Sequence, residues 1–183
     1  MKVKSLIIVG LILSILLNLY LFQQLNKSKE ESRLAMFEKI QYGVNYSYNF
    51  GKTLQSKYND ISIKEKAEYL TAMSWSLQLS THTLEIVEPN DDRYRELGNL
   101  FNIYSYIPSS NDLGDIISKE NVSDEVVLEL LDIWLTDMKY LDEKLDYNQL
   151  AKMNYTELSA YWETILPNLE YQNDALNEYK QSF

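Results

Sequence analysis

The chain has 183 residues, a formal net charge of -10, no cysteine and one histidine, with 45% hydrophobic and 13% aromatic residues. That is enough apolar content for one core and too much for a disordered tail. Disulfide scaffolds, thiol chemistry and cysteine zinc sites are excluded, and a histidine-rich metal site or two-histidine acid/base pair lacks its second residue.

From Ser5 to Phe22 the sequence reads SLIIVGLILSILLNLYLF, without a charge. A helix of that length rises about 27 Å, close to the thickness of a bilayer core. The segment is expected to be a transmembrane signal anchor over 5–22, with 1–4 a cytoplasmic tip, 23–33 a juxtamembrane segment and 34–183 an extracytoplasmic helical bundle. Leu19, Tyr20, Leu21, Phe22, Gln23 and Gln24 offer no small residues for signal cleavage. Lys2 and Lys4 precede the apolar run, which favours a cytoplasmic N-terminus and a single-pass cell-membrane topology. Gly10, Ser14 and Asn18 recur every four residues, a spacing suited to transmembrane packing against a partner helix or a second copy of the chain, as a homodimer.

Every one of the 27 acidic residues lies beyond this segment, because the first is Glu30. Such a surface repels phosphates, so nucleic acid is an unsuitable partner. Capping signals and periodicity predict an all-α fold, an antiparallel helical bundle of four to five helices behind an N-terminal transmembrane helix. Ser28 with Glu31 has the spacing of a capping box, so a first helix is expected to restart there and run over about 29–59. Its apolar stripe contains Leu34, Phe37, Ile40, Val44, Tyr48 and Tyr58, with Gly43 and Gly51 as weak points. A second capping box, Ser62 and Glu65, opens a helix that ends before Pro89. A third helix covers about 90–106, and Pro108 to Gly114 reads as a loop. Ser123 caps a fourth, with Val127, Leu130, Leu131, Trp134, Met138, Leu141 and Leu145 inward and Asp132, Lys139 and Glu143 outward. Asn154 with Glu157 opens a fifth, carrying Leu158, Tyr161, Trp162, Ile165, Leu169, Leu176 and Tyr179, which Pro167 kinks or splits.

Two stretches carry no formal charge: Ile40 to Gly51, and Tyr69 to Leu84. The second holds two apolar stripes. Leu70, Met73, Leu77, Leu84 and Val87 form one, and Ala72, Trp75, Leu79 and Ile86 form another on nearly the opposite side. A helix with two apolar faces must be covered twice, by its own neighbours or by a partner. Tyr42, Tyr46, Asn49, Trp75, Leu79 and His82 are therefore the candidate ligand-binding or partner-binding residues.

Other clusters read as structural. Ser109 to Glu120 can be laid on a helix-loop-helix calcium loop, but Ser109 and Leu113 replace two side-chain ligands. Glu88, Asp91 and Asp92 sit where a helix N-terminus favours negative charge. Asn26, Asn45, Asn121 and Asn154 begin glycosylation sequons, and the excess of Lys over Arg with many Asn, Ile and Tyr points to an AT-rich bacterial genome. No nucleophile elbow, phosphate loop or zinc motif is present, so no catalytic residue, metal or cofactor is assigned. The expectation is a membrane-anchored, extracytoplasmic accessory or interaction protein, non-catalytic, that binds another protein, possibly within the membrane, through its helical surface. The alternative is an ectodomain that binds a small uncharged ligand in a groove between the first two extracytoplasmic helices.

Overall fold

The computed structural model describes residues 2–88, 90–111, 113–118 and 123–183; for 2–6, 9, 110, 111 and 118 the description is of the backbone. The described residues form eight α-helices: α1 (Lys2–Lys57), α2 (Ile63–Val87), α3 (Arg93–Tyr106), α4 (Leu113–Ser118), α5 (Asp124–Lys144), α6 (Tyr147–Leu150), α7 (Tyr155–Ile165) and α8 (Asp174–Gln181). The all-α class stands, while the expected four to five helices become eight. The additional helices have local causes. Pro108 has no N–H to donate back to Tyr104, and the chain widens there into a π-helical turn over Ile107–Asn111, after which α4 begins. Asp146 accepts from the Asn148 N–H and starts the single turn of α6. Pro167 lies in a 3-10 turn, Leu166–Asn168, and α8 restarts at an Asn173 cap.

A larger correction concerns the N-terminus. Among the described residues no helix is long and apolar enough to cross a membrane. Gly10, Ser14 and Asn18 interrupt the apolar run, and Gln23, Gln24, Asn26 and Lys27 close it. The expected transmembrane helix, the signal anchor and the single-pass topology with an extracytoplasmic bundle are therefore overturned. So is the membrane-anchored form of the expected function, in both its accessory and its ectodomain versions. The side chains of the supposed tip, Met1 to Lys4, lie outside the described residues, as do those of Ser5, Leu6 and Val9.

α1 also fails to restart at Ser28. Between Gln23 and Leu34 the sequence holds neither Gly nor Pro, and Lys27 and Glu31 pair at 3.7 Å one turn apart, so the helix continues. Its first half carries exposed apolar side chains from Ile7 to Leu25, and its second half enters the bundle with Phe37, Ile40, Val44 and Leu54 buried.

In the bundle, α1 packs against α2 on one side and α5 on the other, α2 against α3, and α3 against α7 and α8. Two of the three capping boxes read from sequence form, at Ser62 and Glu65 and at Asn154 and Glu157. Trp134, Met138 and Leu141 of α5 are buried, and Phe101 meets Trp162 edge to face with ring centroids 6.3 Å apart. Gly43 and Gly51 are points of contact rather than weakness. A Cβ on Gly43 would collide with Ser80 Oγ and lie 2.6 Å from the Ser76 carbonyl, so α1 and α2 approach closely because this position has no side chain.

Candidate functional site

The two stripes of α2 have different fates. Leu70, Met73, Leu77, Leu84 and Val87 are all buried. Trp75 is 75% exposed, Leu79 42% and Ile86 53%. Along α2 the sequence of Ala72, Trp75, Leu79, His82 and Ile86 alternates steps of three and four, the spacing of a seam that a second helix covers. Tyr42 (46%), Tyr46 (52%) and Phe50 of α1 are exposed as well. Of these, Phe50 lines a shallow pocket with Tyr69 and Ala72 of α2, whereas Tyr42 lies near Tyr147 of α6.

The hydroxyls of this pair are committed inward. Ser47 Oγ donates to the Met73 carbonyl at 2.7 Å and Ser80 Oγ to the Ile40 carbonyl at 2.8 Å, each reaching from one helix to the other's backbone. Thr71, Ser76, Thr81 and Thr83 donate to the carbonyl four residues back on their own helix. Gln78 donates to Asn102 and Ser105 of α3. The small residues thus bring helices together, and α1 and α2 meet without a groove at Gly43.

The remaining candidates are accounted for individually. Tyr42 donates to Glu38 at 2.8 Å, and that bond, more than the nearby charge, holds its hydroxyl proton on and raises its pKa. Tyr42 and Tyr46 lie tilted with centroids 6.0 Å apart. Asn49 donates to Asn45, which donates to Asp142 of α5 at 3.0 Å, so Asn49 belongs to the α1/α5 side rather than to the Trp75 stripe. His82 Nδ1 stands 3.0 Å from Glu85 Oε2 on an exposed surface. Gly10, Ser14 and Asn18 lie on the exposed first half of α1, where a Cβ on Gly10 would meet nothing within 4 Å; their reading as transmembrane packing goes with the span.

The acidic and loop candidates resolve into structure. Asp91 accepts from Arg93 at 2.6 and 2.7 Å, which holds its carboxyl below the usual range, and Asp92 approaches Arg95 at 3.9 Å. Gly114 falls inside α4 and Leu113 is buried, so residues 109–117 do not form a calcium loop; Asp112 and Glu120 lie outside the described residues. Asn121 is outside them too. Among the described residues no cluster of His, Asp or Glu could hold a metal ion.

Two polar centres were not anticipated. Asp137 of α5 is fully buried and accepts from the Tyr104 hydroxyl at 2.6 Å and from the backbone N–H groups of Glu170 and Tyr171 at 2.7 and 2.8 Å. Burial foremost, and then the adjacent Asp137 charge, push the Tyr104 hydroxyl well above its ordinary pKa. The carboxylate thereby ties α3, α5 and the strand-like link before α8 together. Its signal in the sequence was position: Asp137 lies three residues after Trp134 and four before Leu141, inside the inner stripe. Arg33 is the other. It donates to the carbonyls of Ala151 and Met153 at 2.8 and 2.5 Å and to Glu88 at 3.1 Å, with its guanidinium over the Phe37 ring. Backbone carbonyls leave no trace in a sequence, so nothing there marked Arg33 as the clasp that joins α1, α2 and the α6–α7 link.

The chain matches no protein-family model, no curated protein and no solved structure. The geometry alone therefore carries the functional reading.

Proposed function

We propose that this bundle is a non-catalytic protein-interaction module that binds an apolar helix of another protein along the outer stripe of α2 and the adjacent Phe50 of α1. The observation that carries this is the exposed apolar stripe Trp75, Leu79 and Ile86, in seam spacing with the half-buried Ala72. An aromatic anchor with aliphatic neighbours at helical spacing is the chemistry by which one helix holds another. Glu65 and Glu68 stand beside Ala72 and Phe50, and Glu85 beside His82 within the stripe, so the matching helix is apolar on one side and basic on its flanks.

The test is titration of the full chain into a labelled synthetic helix with a leucine seam and lysine flanks, followed by fluorescence anisotropy. Saturable binding that Leu79→Glu weakens at least about tenfold supports the reading. Absence of saturable binding, or binding that Leu79→Glu leaves unchanged, overturns it. A concentration-dependent dimer that Leu79→Glu dissociates would also overturn it, by making the occupant a second copy of the chain.

A further inference from the structure

The seam on the outside of α2 holds one titratable side chain. His82 sits between Leu79 and Ile86, at the position that continues the steps of three and four from Trp75, and it is the single histidine of the chain. Its side chain is 67% exposed, so a helix laid along the stripe covers it together with Leu79 and Ile86.

The surroundings of the ring fix its proton. Nδ1 stands 3.0 Å from Glu85 Oε2. A carboxylate oxygen accepts and has nothing to donate, so in the neutral ring Nδ1 carries the proton and Nε2 keeps a lone pair. Other charges at this level of α2 belong to its neighbours. The bond from Ser80 to Ile40 places Glu38 and Lys39 of α1 there, and Gly98 against Thr81 and Leu84 places Arg95 and Glu96 of α3. Glu38 accepts from Tyr42, Arg95 approaches Asp92 at 3.9 Å, and Glu96 lines a pocket with Tyr155 and Tyr179. The π-helical turn and α4 pack at the opposite half of α2, beside Leu70 and Trp75, where α4 carries Asp115. Carboxylates, lysines and arginines keep their charge between about pH 5.5 and 7.5, whereas a histidine side chain ordinarily titrates in that interval.

Protonation changes three things at once. Nε2 turns from acceptor into donor. The seam gains a cation, which a covering helix has to strip of water. Pairing with the imidazolium also cancels part of the acidic flank that Glu85 offers to the partner's basic residues. All three act in the same direction, against a helix that is apolar on one side and basic at its edges.

We infer that His82 is a proton-operated switch of this surface: the partner helix binds while the ring is neutral, with Nε2 accepting from a basic side chain of its flank, and is released as the ring is protonated. The inference rests on the interaction reading for its partner and adds the condition under which that partner is held. By linkage, a helix that prefers the neutral ring lowers the ring's proton affinity by the same factor.

The full chain is titrated into the labelled helix with a leucine seam and lysine flanks at about pH 7.5 and about pH 5.5, at one ionic strength, and both titrations are repeated with His82→Gln. Glutamine keeps an N–H for Glu85 and an oxygen acceptor but cannot gain a charge. The expected result is binding about tenfold weaker at the lower pH, against a change of less than about twofold in His82→Gln. Equal affinity at both pH values overturns the inference, and so does a pH effect that His82→Gln retains. In either case saturable binding that Leu79→Glu weakens leaves the interaction reading standing. The single histidine also gives one imidazole Cε1–H resonance, whose titration midpoint should move down by about one pH unit when the helix saturates the chain. A midpoint that stays in place or rises overturns the inference as well. Absence of saturable binding at both pH values removes the interaction reading, and the switch with it.

Discussion

α2 and α5 have 25 and 21 residues and both pack against α1, yet they treat their outer faces in opposite ways. α5 presents Glu125, Glu129, Asp132, Lys139 and Glu143 to solvent and keeps Val127, Leu131, Trp134 and Met138 inside, as an ordinary surface helix does. α2 keeps an equally apolar inner face but shows Trp75, Leu79 and Ile86 outside, with no charge between Tyr69 and Leu84. Each helix also carries its polar residues differently. In its charge-free stretch α2 turns hydroxyls such as Thr71 and Ser80 onto backbone carbonyls, whereas α5 buries a full carboxylate, Asp137. The comparison separates stability from recognition: α5 holds the bundle together, and the outside of α2 is left for something else.

The largest effect is therefore expected on α5. Asp137→Ala strands the Tyr104 hydroxyl and the N–H groups of Glu170 and Tyr171 in the interior, at about 1–3 kcal/mol for each donor left unsatisfied. A total loss of about 4 kcal/mol in urea unfolding is expected, with Asp137→Asn less damaging because its carbonyl oxygen still accepts. If Asp137→Ala costs less than about 1 kcal/mol, then the carboxylate is not what pins α5 to α3, and the contrast with α2 loses its basis.

This division explains what could be read from the sequence. The inner stripes, both complete capping boxes and the break at Pro167 follow from periodicity and local hydrogen bonding, which neighbouring residues decide by themselves. The outward position of Trp75 and Leu79 was open, because a helix with two apolar faces is as consistent with a central helix as with an uncovered one. Gly43 illustrates the limit from the other direction. Its propensity cost was visible, but its use as the closest approach of α1 to Ser80 depends on a helix about 35 residues away. The Ser28 box misled for a similar reason: cap residues terminate nothing unless the chain also has cause to leave the helix, and here none is present. The segment at 5–22 was read by apolarity over its whole length, whereas among the described residues no helix is long and apolar enough to cross a membrane.

An intermediate effect is expected at high pH, again through α5. Tyr58 is pushed up to about 12, mainly by burial and secondarily by Asp124 at the start of α5; Tyr104 is raised by burial and by Asp137. In the unfolded chain a tyrosine ionises near pH 10. Both pKa values are raised in the fold, so their contribution is complete below about pH 10 and is lost as pH climbs through 10 toward 12. Helical signal should fall in that window in step with the last rise of tyrosinate absorbance. Full ionisation of all tyrosines with helicity intact would show that α5 does not bury these hydroxyls as described.

The smallest effect is expected on the outside of α2, and its smallness is informative. Leu77 and Leu79 are the same residue on the same helix, two positions apart, and differ in that Leu77 is fully buried while Leu79 is 42% exposed. Truncation of Leu77 to alanine leaves a cavity and costs about 2–5 kcal/mol. Leu79→Ala removes methyl groups that already touch water and should change unfolding free energy by less than about 0.5 kcal/mol. A surface leucine with no energetic role in its own fold, placed between Trp75 and Ile86 at seam spacing, contributes nothing to the isolated bundle that alanine would not. If Leu79→Ala proved as costly as Leu77→Ala, the outer stripe would belong to the core of this chain, and the case for a partner helix would fall with it. If it is silent in unfolding yet weakens the synthetic helix, the two faces of α2 divide between folding and binding as proposed.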